Sequence, residues 1–500
     1  MNLGFAPPTS SQYNTRDLDY DRTLDKRLGT LAGCRRPRPV PEVCSPSRHV
    51  LSKVQNYHIS EDNPMRTYES WGRFPKVRHR TVVPIRWRDE LPPLDAFDAP
   101  VLPHGMGRSY GDVCLNEDGV LLDTLPLNRF IHFDPEQGLL RCEAGVTLDQ
   151  VLELVVPYGW FLPVTPGTKY VTVAGAVAND VHGKNHHHGG TFGRYVTRFE
   201  LVRSDGRRYI CSPEENPDLF RATIGGLGLT GLITWVEFRL KPIPSALIEE
   251  ELIRFENLDE FFEISAQSDV DFEYTVAWVD CLAQGEHLGR GIFMRGNHAD
   301  VPNALYPNSK RTLGVPVDFP EFVLNPISMK VFNTLYYHRM REKRKRVLVH
   351  YEPFFYPLDA VKNWNRIYGR RGMLQFQCVV PFGDHQEVIR AIIDRIARSR
   401  RASFLAVLKE FGDVPSPGLM SFPRPGVTLT LDFPYEGVPT MHLFDDLHAL
   451  VRDAGGAFYP AKDTHMTPEE FRASYPQWET FTRFVDPHFS SSFWRRVMAR

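Results

Sequence analysis

The sequence predicts an α+β fold, and three observations carry that prediction. Strand and helix periodicities are interleaved with hairpins instead of running as βαβ repeats. Phe199 to Cys211 alternates around Asp205-Gly206 as a β-hairpin does. In the second half, aromatic-rich strands such as FEYTVAWVD, LQFQCVV and VTLTLDF alternate with amphipathic helices such as His385 to Arg398, which fits a broad antiparallel sheet covered by helices. A chain of 500 residues can bury the cores of two or three domains. Its net charge of −2 gives no global attraction to nucleic acid or to an anionic membrane. The cysteines at positions 34, 44, 114, 142, 211, 281 and 378 are odd in number and lack a CxxC pair, which argues against a disulfide framework or a zinc site. There is no apolar run of membrane-spanning length and no basic-then-apolar leader, so a cytoplasmic protein, or one on a membrane face without insertion, is expected.

Residues 1–66 are rich in Pro, Arg, Ser and Thr with few periodic apolar positions, and read as a partly disordered extension. A first domain is expected over 67–244. TVVPIRW and Pro100 to Leu102 are short strands, the second delivering the chain into Pro103–Val113, PHGMGRSYGDV. That loop joins glycines, which free the backbone for close approach and positive φ, to Arg108, Ser109 and Tyr110, whose donors suit phosphate oxygens. It departs from a Rossmann fingerprint because turn formers and the short strand Gly119–Asp123 follow it, not a helix; taken alone, it also fits a glycine-rich surface turn.

Thr147 to Gln150 is a capping box that opens a helix ending at Gly159. A second run, Pro166 to His188, alternates small and polar residues, and a third, Ile224 to Ile233, holds four glycines in ten residues. Three such segments in one region suggest a single extended cofactor lying across several loops. Glu214 to Thr223 is expected as a helix and TWVEFRLKPI as a closing strand. A second domain is placed at 245–435 and a C-terminal segment at 436–500. The basic run Arg339 to Arg346 has two readings, a solvated loop or a contact with a lipid head group or anionic membrane.

The motifs PHGMGRSYGD, PGTKYVTVAGAVANDVHGKNHH and ATIGGLGLTGLI resemble the PCMH-type FAD-binding domain of vanillyl-alcohol-oxidase-type flavoproteins, and within them the decaprenylphosphoryl-ribose 2-oxidase branch. The likeness continues through FFYPLDAVKNWNRIYG, MLQFQCVVP, SFPRPG, TLDFP and YPAKDTHMT, from about Trp71 to the C-terminus. It implies a two-domain flavoprotein with a substrate domain lying over the flavin, to which the C-terminal segment returns. It places Pro103, His104, Gly105, Met106, Gly107, Arg108, Ser109, Tyr110, Gly111, Asp112 and Val113 on the FAD pyrophosphate. Elsewhere along the cofactor it places Gly167, Thr172, Val173, Ala174, Gly175, Asn179, Asp180, Val181, His182, Ile233, Tyr459 and Ala461.

Many relatives tether the flavin through a histidine where this chain has Arg108, so noncovalent FAD is expected, with His104 the alternative tether. Lys462 is the leading acceptor of the substrate's hydroxyl proton, or the group that polarises that hydroxyl; His182 is the other candidate, and the residues leave the choice open. Tyr110, Lys184, Gln375, Gln377 and Lys409 match substrate-pocket positions. His186, His187 and His188 are adjacent and lack an acidic partner at ligand spacing, so no metal site is expected. Thr430 stands where mycobacterial members have cysteine, and Thr428 replaces an asparagine, two departures from the family's pattern in the substrate pocket.

The expected activity is therefore oxidation of a secondary hydroxyl of a sugar, a polyprenyl-phosphate-linked pentose, to a keto sugar, with an alditol or aldonolactone substrate as the alternative. The resemblance also implies a short-chain reductase that completes an epimerisation in building a cell-wall or polysaccharide precursor. It leaves quinone or oxygen open as electron acceptor and gives no oligomeric state.

Overall fold

The computed structural model describes residues 67–306, 313–401 and 403–499; the extension at 1–66 lies outside them. Two sheets follow one another in sequence before a third, larger one. The strands Thr81–Pro84, Val120–Asp123 and Val101–His104 form a small parallel sheet in that order. Phe130–Asp134, Leu139–Glu143, Leu232–Arg239, Val196–Val202 and Arg208–Cys211 form an antiparallel one. The strand expected to close the domain, Leu232–Arg239, is last in sequence but central in space, flanked on both sides, and seven of its eight residues are buried. A strand covered on both faces reads as continuous burial, which is why its sequence shows little alternation.

Local chemistry accounts for the connecting elements. Thr147 and Gln150 form the reciprocal capping box of helix Leu148–Val155, and Gly159 leaves the following turn with φ 79°. The helix expected from Glu214 begins later, at Pro217: Asn216 takes a left-handed conformation, and Pro217 fits a first turn whose N–H groups need no helical partner. The hairpin pairs Phe199 with Cys211 and Val202 with Arg208 around Gly206 at φ 77°.

Residues 247–458 build an eight-stranded antiparallel sheet in the order Arg344–His350, Leu247–Phe255, Gly291–His298, Tyr274–Val279, Ala406–Phe411, Gly426–Pro434, Met373–Pro381, Ala457–Phe458. Side chains on a strand alternate between faces. Leu374, Phe376, Cys378, Val380, Val427, Leu429, Leu431, Phe433, Ala406 and Leu408 point to one face, in the same core as residues of helices Leu258–Ser268, His385–Ser399 and Val438–Asp453. Their neighbours in sequence therefore point to the opposite face, where the site lies. The basic run is not a loop throughout, because Arg344 to Arg346 lie on the edge strand, where Arg344 and Arg346 approach buried Glu251 at 3.7 and 2.8 Å. Among the described residues no helix is long and apolar enough to cross a membrane.

Candidate functional site

A cavity of about 740 Å³ lies between the glycine-rich loops and the open face of the large sheet. All three glycine-rich segments border it. From the first come Pro103, His104, Gly105, Met106, Gly107, Arg108, Ser109, Tyr110 and Val113; from the second, Gly167, Thr172, Ala174, Gly175, Asn179, Val181, His182 and Lys184; from the third, Leu227, Gly228, Gly231 and Ile233. Tyr459, Ala461 and Lys462 enter from the C-terminal segment.

Four of the predicted cofactor residues brace this wall without bordering the cavity. A Cβ on Gly111 would stand 1.7 Å from the carbonyl oxygen of Asp463, so this glycine lets the first loop lie against the AKD turn, and its φ of −107° is ordinary. Asp112 accepts from Arg496 at 2.9 and 2.8 Å, and Arg496 also reaches Asp463 at 2.9 Å. Burial nevertheless pushes the Asp112 carboxyl above its usual range. Asp180 accepts from Gly193 N–H at 2.8 Å and from the hydroxyls of Ser416 and Ser421, tying the second loop to the sheet domain. Val173, the first residue of the helix Val173–Ala178, is buried in the core. Of the first-loop glycines named for positive φ, Gly107 alone has it, at 63°. Gly105 permits close packing on Thr172, whose Oγ1 a Cβ would meet at 2.6 Å.

The YPAKD turn holds the walls together. Tyr110 N–H donates to Ala461 O at 2.8 Å, Tyr459 O–H to Asn179 O at 2.9 Å, and Tyr459 N–H to Gln377 O at 3.2 Å. This places Lys462 Nζ 3.8 Å from the centre of the Tyr110 ring. Burial lowers the Lys462 ammonium to about 8, with Asp432 opposing the drop. Asp432 is itself pushed up to about 7 by burial, against a hydrogen bond from Gln375 and the charge of Lys462. Each charge thus favours the ionised form of the other. Tyr110, buried and facing Asp432, is held well above the ordinary phenol range and stays a neutral donor.

His182 is different. Burial, then the charges of Lys409 and Lys462, hold it well below the usual imidazole range. Gln377 presents its amide nitrogen to Nε2 at 3.1 Å, which makes Nε2 the acceptor and leaves the ring proton on Nδ1, an atom with no hydrogen-bond partner among the described residues. Lys409 is lowered to about 7 and Lys184 to about 8, mainly by burial, and they donate to Gly183 O at 2.8 Å and Phe354 O at 2.6 Å. His186, His187 and His188 share one helical turn, not a strand; the ring of His186 packs 4.5 Å from Phe411, and His187 Nε2 meets Phe272 O.

Arg108 lies 4.0 Å over Trp71 and donates to Tyr170 O at 3.2 Å. His104 is buried, with its ring 5.3 Å from Tyr68.

Sequence reasoning passed over Asp432, Trp71, Asp359 and the apolar group Leu252, Val276, Trp278 and Met294, all but Asp432 on the cavity wall. For Asp432 the signal was available in LQFQ and TLTLD, where a polar residue recurs at every second position of a strand. Gln375 pairs across the sheet with Asp432, Gln377 with Thr430 and Lys409 with Thr428.

The donor set fits a flavin dinucleotide. Glycine loops offer backbone at close range, and on the cavity wall Asn179 Oδ1, His182 Nδ1 and Gln375 Oε1 are buried polar atoms without partners among the described residues. Such atoms are costly unless a ligand or water satisfies them.

Residues 93–212 match the FAD binding domain family. The chain is 36% identical over 413 residues to decaprenylphosphoryl-β-D-ribose oxidase of Mycolicibacterium smegmatis, an overlap covering 79% of this chain and 89% of that protein. It is 33% identical over 370 residues to an uncharacterized protein of Streptomyces coelicolor, covering 70% of this chain and 100% of the relative. With a putative D-arabinono-1,4-lactone oxidase of Neurospora crassa it shares 31% identity over 169 residues, 34% of this chain and 30% of the relative.

Proposed function

The chain belongs to the FAD-linked oxidases that include decaprenylphosphoryl-β-D-ribose oxidase, and from that premise we propose that it oxidises a secondary hydroxyl of a polyprenyl-phosphate-linked pentose to a ketone. It is an FAD-dependent oxidoreductase acting on CH–OH groups.

One observation carries the choice of a lipid-linked sugar, namely the gradient of polarity across the cavity face of the large sheet. Strands Met373–Pro381, Gly426–Pro434 and Ala406–Phe411 contribute Gln375, Gln377, Thr430 and Lys409, with Asp432 beside them. The next three, Tyr274–Val279, Gly291–His298 and Leu247–Phe255, contribute Val276, Trp278, Met294 and Leu252, with Glu250 the one charged side chain among them. Six neighbouring strands span about 24 Å. A sugar suits the first half and an isoprenoid chain the second, and a free alditol or aldonolactone would leave the apolar half unused. The aldonolactone alternative rests on the likeness to lactone oxidases, which extends over 34% of the chain.

Bound flavin supplies the hydride acceptor for the carbinol carbon. The protein's share is orientation and the proton. Tyr110 and Gln375 hold the sugar hydroxyl near Lys462 Nζ, which, with its affinity for protons lowered to about 8, takes the hydroxyl proton. Neutral His182 donates from Nδ1 and orients without becoming a cation. FAD is held noncovalently, since Arg108 cannot serve as a tether. A short-chain reductase then consumes the keto sugar, and quinone or oxygen reoxidises the flavin. The basic run and its surroundings meet the membrane that carries the substrate.

The test is anaerobic bleaching of the bound flavin. Polyprenylphosphoryl ribose should bleach it, whereas free ribose, ribitol and an aldonolactone should not; bleaching by the free compounds at equal rates overturns the lipid-linked assignment. Acid precipitation should release the yellow colour to the supernatant, and colour retained in the pellet would point to a tether at His104.

A further inference from the structure

The apolar end of the cavity is closed by Tyr336 and Arg339, at the C-terminal end of the helix Pro326–His338. Tyr336 packs on Trp278 with ring centres 4.6 Å apart. The helix is anchored by Met329, Asn333 and Tyr337, which are buried; Asn333 donates to Asp280 at 3.1 Å and Tyr337 to Phe255 O at 3.3 Å. At helical spacing the opposite face is Ile327, Val331 and Leu335. These side chains are 76%, 53% and 67% exposed. Most surface helices turn charged and polar residues to water and keep such a stripe for the core. The excess is local: seven of the fourteen exposed large apolar side chains among the described residues fall within 313–335, among them Phe322 in the turn before the helix and Phe332 on it. Scattered singly they would need no explanation, but grouped they mark an interaction surface.

Charge identifies what that surface meets. From Lys330 to Arg346 the chain carries seven basic side chains and one acidic one, Glu342. Lys343 is paired with Glu260, and Arg344 and Arg346 with Glu251. Lys330, Arg341 and Lys345 are exposed and form no ion pair among the described residues. An apolar stripe rimmed by unpaired cations is the pattern of a helix lying in the interface of an anionic bilayer.

We propose that the helix Pro326–His338 docks on an anionic lipid bilayer, with Ile327, Val331 and Leu335 in the acyl boundary and Lys330, Arg341 and Lys345 on the head groups. The inner end of the same helix borders the apolar half of the cavity, so a lipid-linked substrate passes from the bilayer to the sheet without crossing water. The docking surface names the source of the substrate in the function proposed above and rests on that reading for its purpose, but not for its detection.

The test uses the full chain with FAD bound, floated with vesicles of phosphatidylcholine or of phosphatidylcholine and phosphatidylglycerol in equal parts. Binding is expected to the anionic vesicles and to fall with salt. Leu335→Ser and Val331→Ser should each weaken it about tenfold through lost apolar burial. Lys330→Gln, Arg341→Gln and Lys345→Gln should each weaken it about fivefold. All five positions lie away from the catalytic groups, so the flavin spectrum and the bleaching rate with substrate dispersed in detergent should not change, while turnover of vesicle-borne substrate should fall with binding. Failure of the wild-type chain to float, or flotation unaltered in the variants, overturns the proposal. So does a wild-type dimer in solution that Leu335→Ser converts to monomer, since a second copy would then cover the stripe. Flotation as expected together with bleaching by free sugars would leave the surface standing and remove the lipid-linked substrate.

Discussion

The loop wall of the cavity takes its residues from contiguous runs of chain, Pro103–Val113 and Gly167–Lys184, whereas the sheet wall takes one to three residues from each of six strands spread over residues 250–430. In the first wall a backbone conformation is the functional object, and local composition writes it: glycine where atoms crowd, small residues where helix meets loop. In the second the functional object is a register, set only when Gln375 pairs with Asp432 and Lys409 with Thr428. The two walls should therefore fail differently, the loop wall by losing shape and the sheet wall by losing chemistry with its shape intact.

The sharpest way to break this contrast is Gly111→Ala. The added Cβ meets a backbone oxygen at 1.7 Å, and neither the first loop nor the AKD turn can yield without releasing the contact between them. Overpacking against backbone costs about 3 kcal/mol or more. The variant should purify without flavin and unfold several degrees below wild type in a thermal melt; a yellow, fully stable Gly111→Ala protein would show that the turn is not the clamp between the walls.

Next in size is Lys462→Met, which keeps the length of the side chain and removes its amine. Turnover should fall by about 10² to 10⁴, the range for losing a positioned proton acceptor, with the flavin spectrum retained. His182→Asn should cost less, because burial and neighbouring cations keep the imidazole neutral and a poor base. The reverse order in single-turnover reduction would exchange the two roles.

Much of this was legible in the sequence for physical reasons that differ by element. The capping box at Thr147 and the hairpin at Asp205-Gly206 depend on neighbours within a few residues, and both stand where their residues put them. The position of Leu232–Arg239 at the centre of its sheet depends on partners about ninety and about thirty residues earlier in the chain, which no local pattern encodes. The bracing roles of Asp112 and Asp180 were hidden for the same reason: their partners, Arg496 and Ser416 with Ser421, lie hundreds of residues away. The alternation in TLTLD carried the sheet wall's polarity openly, but its meaning depends on the opposite face being buried under helices.

A finer test within the sheet wall is Asp432→Asn. The carboxylate raises the affinity of Lys462 for its proton, so its removal should let the ammonium titrate at lower pH. If neutral Lys462 is the active form, wild-type turnover should rise with pH through about 8, and in the variant the rise should move to the acid side. A pH profile of flavin reduction reads this directly, and an unshifted profile would mean that Asp432 acts on Gln375 alone.

The smallest effect on the fold is expected at another glycine of the loop wall. Nothing in the protein lies within 4 Å of a Cβ built on Gly167, although the residue borders the cavity. Gly167→Ala should leave the flavin-free protein as stable as wild type, within about 0.5 kcal/mol, because no contact is crowded and the unfolded chain loses some freedom. If the loop lies against the cofactor, the methyl meets the flavin nucleotide instead, and FAD should bind about tenfold more weakly. Urea melts with and without FAD separate the two effects: a loss seen only with FAD places the ligand at Gly167, and equal curves place it elsewhere in the cavity. Paired with Gly111→Ala, this distinguishes a glycine kept for the protein from one kept for the ligand, a distinction that the motif alone cannot draw.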